Sequence, residues 1–171
     1  DTDSLDLRGL NEEEKRRARR FKRPLHQQRF ANGRRALRDI LATYTEESAS
    51  SIEFSYGEHG KPTLAGDAAK TGLHFNLSHT GDEALCAVSN GRHVGVDIEF
   101  HKERVETLKI AARFFSAEES AYLAARRGVD RTRAFYQFWT AKEALLKGEG
   151  GGLTLPLDRC RFTLGEVPLG L

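Results

Sequence analysis

The chain has 171 residues, 39% of them apolar and 30% charged, which is enough for one ordinary domain or two small halves sharing a core. No run approaches the roughly 20 consecutive apolar residues that span a bilayer, so the composition argues against membrane insertion and against disorder. A formal net charge of +2 does not by itself imply nucleic-acid binding, and the basic residues matter through their clustering between Lys15 and Arg38.

In chain order, Asn11 reads as a helix N-cap, with Glu12 to Glu14 in the first turn and a break at Pro24, so a second helix is expected over Arg29 to Leu41. Ile52 to Tyr56 alternates as a strand and Gly57 to Pro62 is a turn. Leu73 to Ser78 alternates again. Ala84 to Val88 and Val94 to Ile98 read as strands joined through Asn90-Gly91, a hairpin composition. Helices follow over Lys109 to Phe115, Ala117 to Arg127 and Arg131 to Lys147, the last stopping at Gly148. A flexible loop at Gly150 to Gly152 leads to a short strand over Cys160 to Leu164. The predicted class is α+β, with two similar halves, 1–90 and 91–171, each a small antiparallel sheet packed with helices.

The two cysteines, Cys86 and Cys160, lie in apolar runs without metal-ligand spacing and are expected to be reduced, which suits the cytoplasm. No secretory signal is read at Asp1-Thr2-Asp3, and with no methionine in the chain these residues are expected to be part of a longer product.

In a strand, residues two apart share a face, so Asp97 and Glu99 stand together. Two neighbouring carboxylates repel unless a cation lies between them, and oxygen-only ligands suit a hard ion such as Mg²⁺. Glu143 and Lys147 stand at i and i+4 on one helix face, a spacing that by itself describes an ordinary surface ion pair. Phe114, Phe115, Phe135, Phe138 and Trp139 read most simply as core aromatics.

Gly95-Val96-Asp97-x-Glu99, followed some way on by Trp139-x-x-Lys142-Glu143-Ala144-x-x-Lys147, closely resembles the signature of the 4′-phosphopantetheinyl transferases. The likeness is to the larger, pseudo-dimeric surfactin-synthetase-activator type rather than to the short trimeric holo-acyl-carrier-protein synthases. It extends to Arg19-Arg20-Phe21, Gly60-Lys61-Pro62, Phe75 to His79, Phe114-Phe115-Ser116-x-x-Glu119, Gly150 to Leu153, and Leu155 to Asp158, in the family's order. The family's opening strand and its closing strands have no counterpart in these residues, which leaves the outer sheet strands open.

The resemblance implies an active site at the interface of the two halves and transfer of the phosphopantetheine arm of coenzyme A to a serine of an apo acyl or peptidyl carrier protein. The residue-wise match makes Asp97, Glu99 and Glu143 the Mg²⁺ ligands and Glu143 the first choice of general base, with Glu119 as rival. Lys147 is expected to reach a pyrophosphate oxygen, and Arg17, Arg29, Lys61, Ser78 and His79 to hold the phosphates of coenzyme A. Arg104, Lys109 and Arg113 are expected to face the acidic carrier, and the protein is expected to be a monomer. Two other readings stay open: a nucleic-acid-binding module using the basic helices 11–41, and a Mg-dependent nucleotide phosphohydrolase.

Overall fold

The computed structural model describes residues 5–102, 105–150 and 156–164. It is α+β, with helices α1 (Glu12–Arg19), α2 (Pro24–Ala42), α3 (Thr107–Phe114), α4 (Ala117–Ala124) and α5 (Gly128–Glu149). Strands β1 (Glu53–Tyr56) and β2 (Pro62–Ala65) form one two-stranded sheet, and β3 (Leu73–Thr80) and β4 (Glu83–Asn90) another. The chain divides into two compact units: one holds Phe75 and the described residues before it together with Val88–Arg92, the other Asn76–Ala87 and the described residues from His93 onward.

In the first unit, Asn11 caps α1 as expected: its Oδ1 accepts from Glu14 N at 2.9 Å while Glu14 Oε2 accepts from Asn11 N at 3.0 Å. Two helices form as expected, but the second starts earlier, at Pro24, which takes the first helical position, where its fixed φ suits the turn and its missing N–H has no partner to lose. Strand β1 pairs antiparallel with β2 from Glu53 opposite Ala65 to Tyr56 opposite Pro62, so the expected turn closes a hairpin whose second strand composition did not announce. Leu37, Leu41, Ile52 and Phe75 form part of the buried interior.

The basic run is not solvated throughout: Arg16, Arg19, Arg20, Lys22 and Arg23 are exposed, but Arg34 and Arg38 are buried. Arg38 is buried against Glu14, Nε to Oε2 at 3.0 Å, and its Nη1 donates to Ile52 O at 2.7 Å. Arg34 is buried beside the rings of Phe30, Phe54 and Tyr56, and burial holds its guanidinium below the usual range. Arg17 lies 4.1 Å from the Tyr56 ring centroid and Arg35 Nη1 2.6 Å from Asp6 Oδ2.

The second unit is built on α5. Phe135, Phe138, Lys142 and Leu146 recur on its buried side, where Phe115, Leu123, Ala134 and Tyr136 complete an aromatic core. Phe115 stacks on Phe135 at 5.5 Å and meets Phe138 edge-on at 5.9 Å. The helix runs through Gly148 and ends at Gly150, whose left-handed φ of 74° caps it. Gly151 and Gly152 lie outside the described residues.

Two expected strands are absent among the described residues. The partner of β4 is β3, joined through Gly81-Asp82, where Gly81 takes φ 57° at a hairpin position that favours glycine. Residues Val94 to Ile98 make no strand ladder because side chains of β3 take up their amides, as described below. Residues Cys160 to Leu164 likewise form no strand; a 3₁₀ turn, Leu157–Arg159, precedes them, and Lys142 Nζ donates to the carbonyls of Leu157 at 2.7 Å and Cys160 at 2.5 Å. Cys86 and Cys160 are unpaired.

Candidate active site

A pocket of about 460 Å³ in the second unit is lined by Leu77, Ser78, His79, Asp97, Glu99, Trp139, Glu143 and Lys147. Three local patterns bring these residues together. Trp139, Glu143 and Lys147 are four apart along α5 and form one stripe beside the buried Phe138, Lys142 and Leu146. Asp97 and Glu99 alternate on the extended segment, and Ser78 and His79 come from β3.

Close packing sets how near the carboxylate segment lies to α5. A Cβ built on Gly95 would stand 1.8 Å from Ala144 O and 2.3 Å from Gly148 N, so only glycine lets that backbone meet the helix. At the other end of the segment His101 stacks on Tyr136 at 4.7 Å, and Lys102 N donates to the Tyr136 hydroxyl at 3.0 Å.

Within the pocket, Lys147 Nζ lies 2.5 Å from Asp97 Oδ1 and donates to Ser78 Oγ at 2.8 Å. Ser78 Oγ in turn donates to Asp97 Oδ1 at 2.8 Å. Thus both donors meet one oxygen of Asp97, whose side chain is only 6% exposed. The other oxygen, Oδ2, is buried without a hydrogen-bond partner among the described residues. An unmatched buried carboxylate oxygen is costly and invites a cation. Glu143 responds to the same surroundings: burial raises its carboxyl above the usual range, the charges of Asp97 and Glu99 raise it further, and Lys147 opposes them.

The donor set therefore fits a hard divalent ion in its chemistry: carboxylates that repel one another, and a bare oxygen. As the side chains stand, no three His, Cys, Asp or Glu groups among the described residues converge closely enough to hold an ion.

Glu119 is not brought to this group. It is the third residue of α4 and completes a capping box with Ser116, accepting from Ser116 N at 2.8 Å. Its Oε2 lies 2.9 Å from Lys142 Nζ and its Oε1 accepts from Phe162 N at 2.8 Å, and both members of the ion pair are buried. Both oxygens therefore already have donors within the fold. Arg17, Arg29 and Lys61 belong to the first unit, Arg17 and Arg29 on its helices and Lys61 in the β1–β2 turn. Of the residues expected to face a carrier, Arg104 lies outside the described residues, Lys109 pairs with Glu106 at 2.6 Å and Arg113 lies 5.0 Å from the Phe114 ring.

Sequence reasoning missed Asn76 and Thr80, which hold the carboxylate segment, and treated Trp139 as core although it also forms a pocket wall. The i, i+4, i+8 spacing of Trp139 with Glu143 and Lys147 was the available signal.

Residues 4–91 match the family model described as 4′-phosphopantetheinyl transferase, N-terminal, and residues 93–168 the one described as 4′-phosphopantetheinyl transferase superfamily. The chain is similar to the 4′-phosphopantetheinyl transferase HetI of Nostoc sp. strain PCC 7120, with 39% identity over 144 residues, 84% of this chain and 61% of HetI. It is similar to the 4′-phosphopantetheinyl transferase Sfp of Bacillus subtilis strain 168, with 36% identity over 167 residues, 95% of this chain and 71% of Sfp. The chain spans about three fifths of the length of HetI and of a Synechocystis relative. Matches of this extent across both units show that the chain belongs to the 4′-phosphopantetheinyl transferase superfamily.

Proposed function

We propose that this protein transfers the 4′-phosphopantetheine arm of coenzyme A to a serine of an apo acyl or peptidyl carrier protein, with Mg²⁺, releasing adenosine 3′,5′-bisphosphate. The observation that carries this reading is the Asp97, Lys147 and Ser78 group beside the raised carboxyl of Glu143, in one pocket of a member of this superfamily.

The reaction is an in-line displacement at phosphorus, so positioning and charge stabilisation carry most of the catalysis. Asp97, Glu99 and Glu143 would hold the ion; the unpartnered Oδ2 of Asp97 supports this. The chemistry that a bound ion supplies is neutralisation of charge on the phosphate oxygens. Glu143 takes the serine proton as the serine oxygen attacks the phosphorus next to the pantetheine arm. The bond from that phosphorus to the bridging oxygen breaks, and the bisphosphate leaves with the electron pair. Lys147, whose side chain is 30% exposed at the pocket, offers its ammonium to a pyrophosphate oxygen. Glu119 has both oxygens engaged and is assigned no proton transfer. Arg17, Arg29, Lys61, Ser78 and His79 are proposed to hold coenzyme A phosphates, and a monomer working in the cytoplasm is proposed with them. No described helix is long and apolar enough to cross a membrane.

Chromatography of the nucleotide products tests the reading. Adenosine 3′,5′-bisphosphate should appear only when coenzyme A, Mg²⁺ and an apo carrier are all present. Release without a carrier would favour a phosphohydrolase. Salt-dependent nucleic-acid binding without any transfer would favour the binding module, though Arg34 and Arg38 are buried rather than presented.

A further inference from the structure

Three buried side chains on β3 take the place that a neighbouring strand's carbonyls ordinarily fill. Asn76 Oδ1 accepts from Val96 N at 2.9 Å, Ser78 Oγ from Ile98 N at 3.3 Å and Thr80 Oγ1 from Phe100 N at 3.4 Å. The three are 6%, 4% and 8% exposed. Both partners advance by two residues at each step, so the contacts form a ladder with one register. Two rungs also reach the carboxylates that alternate with the held amides: Ser78 Oγ donates to Asp97 Oδ1 at 2.8 Å and Thr80 Oγ1 to Glu99 Oε2 at 3.2 Å. A hydroxyl has one proton and two lone pairs, and here Thr80 gives the proton to Glu99 while a lone pair receives the Phe100 amide.

Backbone-to-backbone pairing is indifferent to side-chain identity, but this ladder is not. We propose that Thr80, with Asn76, is a positioning residue of the site: its hydroxyl fixes the Glu99 carboxylate and the register of the Asp97–Glu99 segment. The role of those carboxylates rests on the transfer reading, yet the ladder's own test does not require transfer. Ser78 itself lines the pocket and bonds both Asp97 and Lys147, so removing its hydroxyl disturbs more than the ladder. Thr80 and Asn76 are absent from the pocket lining and act only through the segment that they hold.

Thr80→Val keeps the β-branched shape and removes the hydroxyl, whereas Thr80→Ser keeps the hydroxyl. The probes are Mn²⁺ titrated into the protein and followed by electron paramagnetic resonance, and amide exchange at Phe100. Thr80→Val should weaken Mn²⁺ binding about tenfold, the usual scale for losing a group that orients a ligand. It should also speed Phe100 exchange and lower kcat for transfer without raising KM for coenzyme A, and Thr80→Ser should restore all three. If Thr80→Val does not fold, Asn76→Ala makes the same test at the Val96 amide. Wild-type Mn²⁺ affinity in the hydroxyl-free variant, a Thr80→Ser as weak as Thr80→Val, or a wild-type chain that binds no Mn²⁺ overturns the proposal. A wild-type chain whose Mn²⁺ affinity depends on Thr80 but which modifies no carrier overturns only the transfer reading.

Discussion

Glu119 Oε2 and Lys142 Nζ, 2.9 Å apart and sealed from solvent, form an ion pair that fastens the chain after α5 to the start of α4. The Lys142 ammonium also holds the carbonyls of Leu157 and Cys160, and the Glu119 carboxylate holds Phe162 N. Every charge in the group is matched, whereas Asp97 nearby in sequence logic keeps a bare oxygen.

Removing one partner of a buried pair leaves the other charge unmatched, at a cost of about 3–5 kcal/mol. Glu119→Gln and Lys142→Met are each expected to lower the unfolding free energy by that order, measured in urea. Activity per folded Glu119→Gln molecule should stay within the same order as wild type. A loss of turnover in a fully folded Glu119→Gln protein would restore Glu119 as a candidate base.

Gly95 and Gly148 face one another but tolerate a methyl group unequally. A Cβ on Gly95 meets backbone atoms at 1.8 and 2.3 Å, whereas one on Gly148 meets nothing closer than Gly95 N at 3.3 Å. Backbone cannot rotate away as a side chain does, so Gly95→Ala should cost about 3 kcal/mol or more, at the upper end for overpacking. Gly148→Ala lies inside a helix, where alanine gains about 0.5–1 kcal/mol over glycine, and should stay within about 1 kcal/mol of wild type. Thermal melts of the two variants decide this, and equal stability for both would contradict it.

The raised carboxyl of Glu143 makes a signed prediction about pH. A group whose folded value lies above its unfolded value favours the fold while protonated, and that contribution is lost as pH rises through the folded value. Glu143→Gln stays neutral at every pH. Without divalent ions its melting temperature should exceed the wild type's at neutral pH, and the difference should vanish below the ordinary carboxyl value of 4.5. Melting curves in a chelator across that range provide the check, and a pH-independent difference would argue against a raised Glu143 carboxyl.

Much of the second unit was legible because its signals are local. The spacing of Phe135, Phe138, Lys142 and Leu146 fixes which face of α5 is buried, and the i, i+4 spacing puts Glu143 and Lys147 together on the face beside it. Alternation likewise put Asp97 and Glu99 on one side. What misled was chemistry that depends on distant partners. Asn90-Gly91 has hairpin composition, yet Gly91 N donates to Gly72 O at 3.0 Å, while the hairpin turn lies at Gly81-Asp82. The Val94 to Ile98 segment alternates as a strand should, but its amides go to Asn76 and Ser78 side chains, a choice invisible to periodicity. Pro24 was ambiguous for a local reason, since proline both breaks a helix interior and begins a helix. The burial of Arg34 and Arg38 follows from Glu14 and the β1 aromatics, which composition alone does not connect.

The most direct test of the central claim is the intact mass of apo carrier proteins after incubation with coenzyme A, Mg²⁺ and either the wild-type chain or Asp97→Ala. The account predicts that the wild-type chain adds one phosphopantetheine arm and that folded Asp97→Ala adds none. Acyl and peptidyl carriers that all stay unmodified by the wild-type chain, or equal modification by Asp97→Ala, would contradict it.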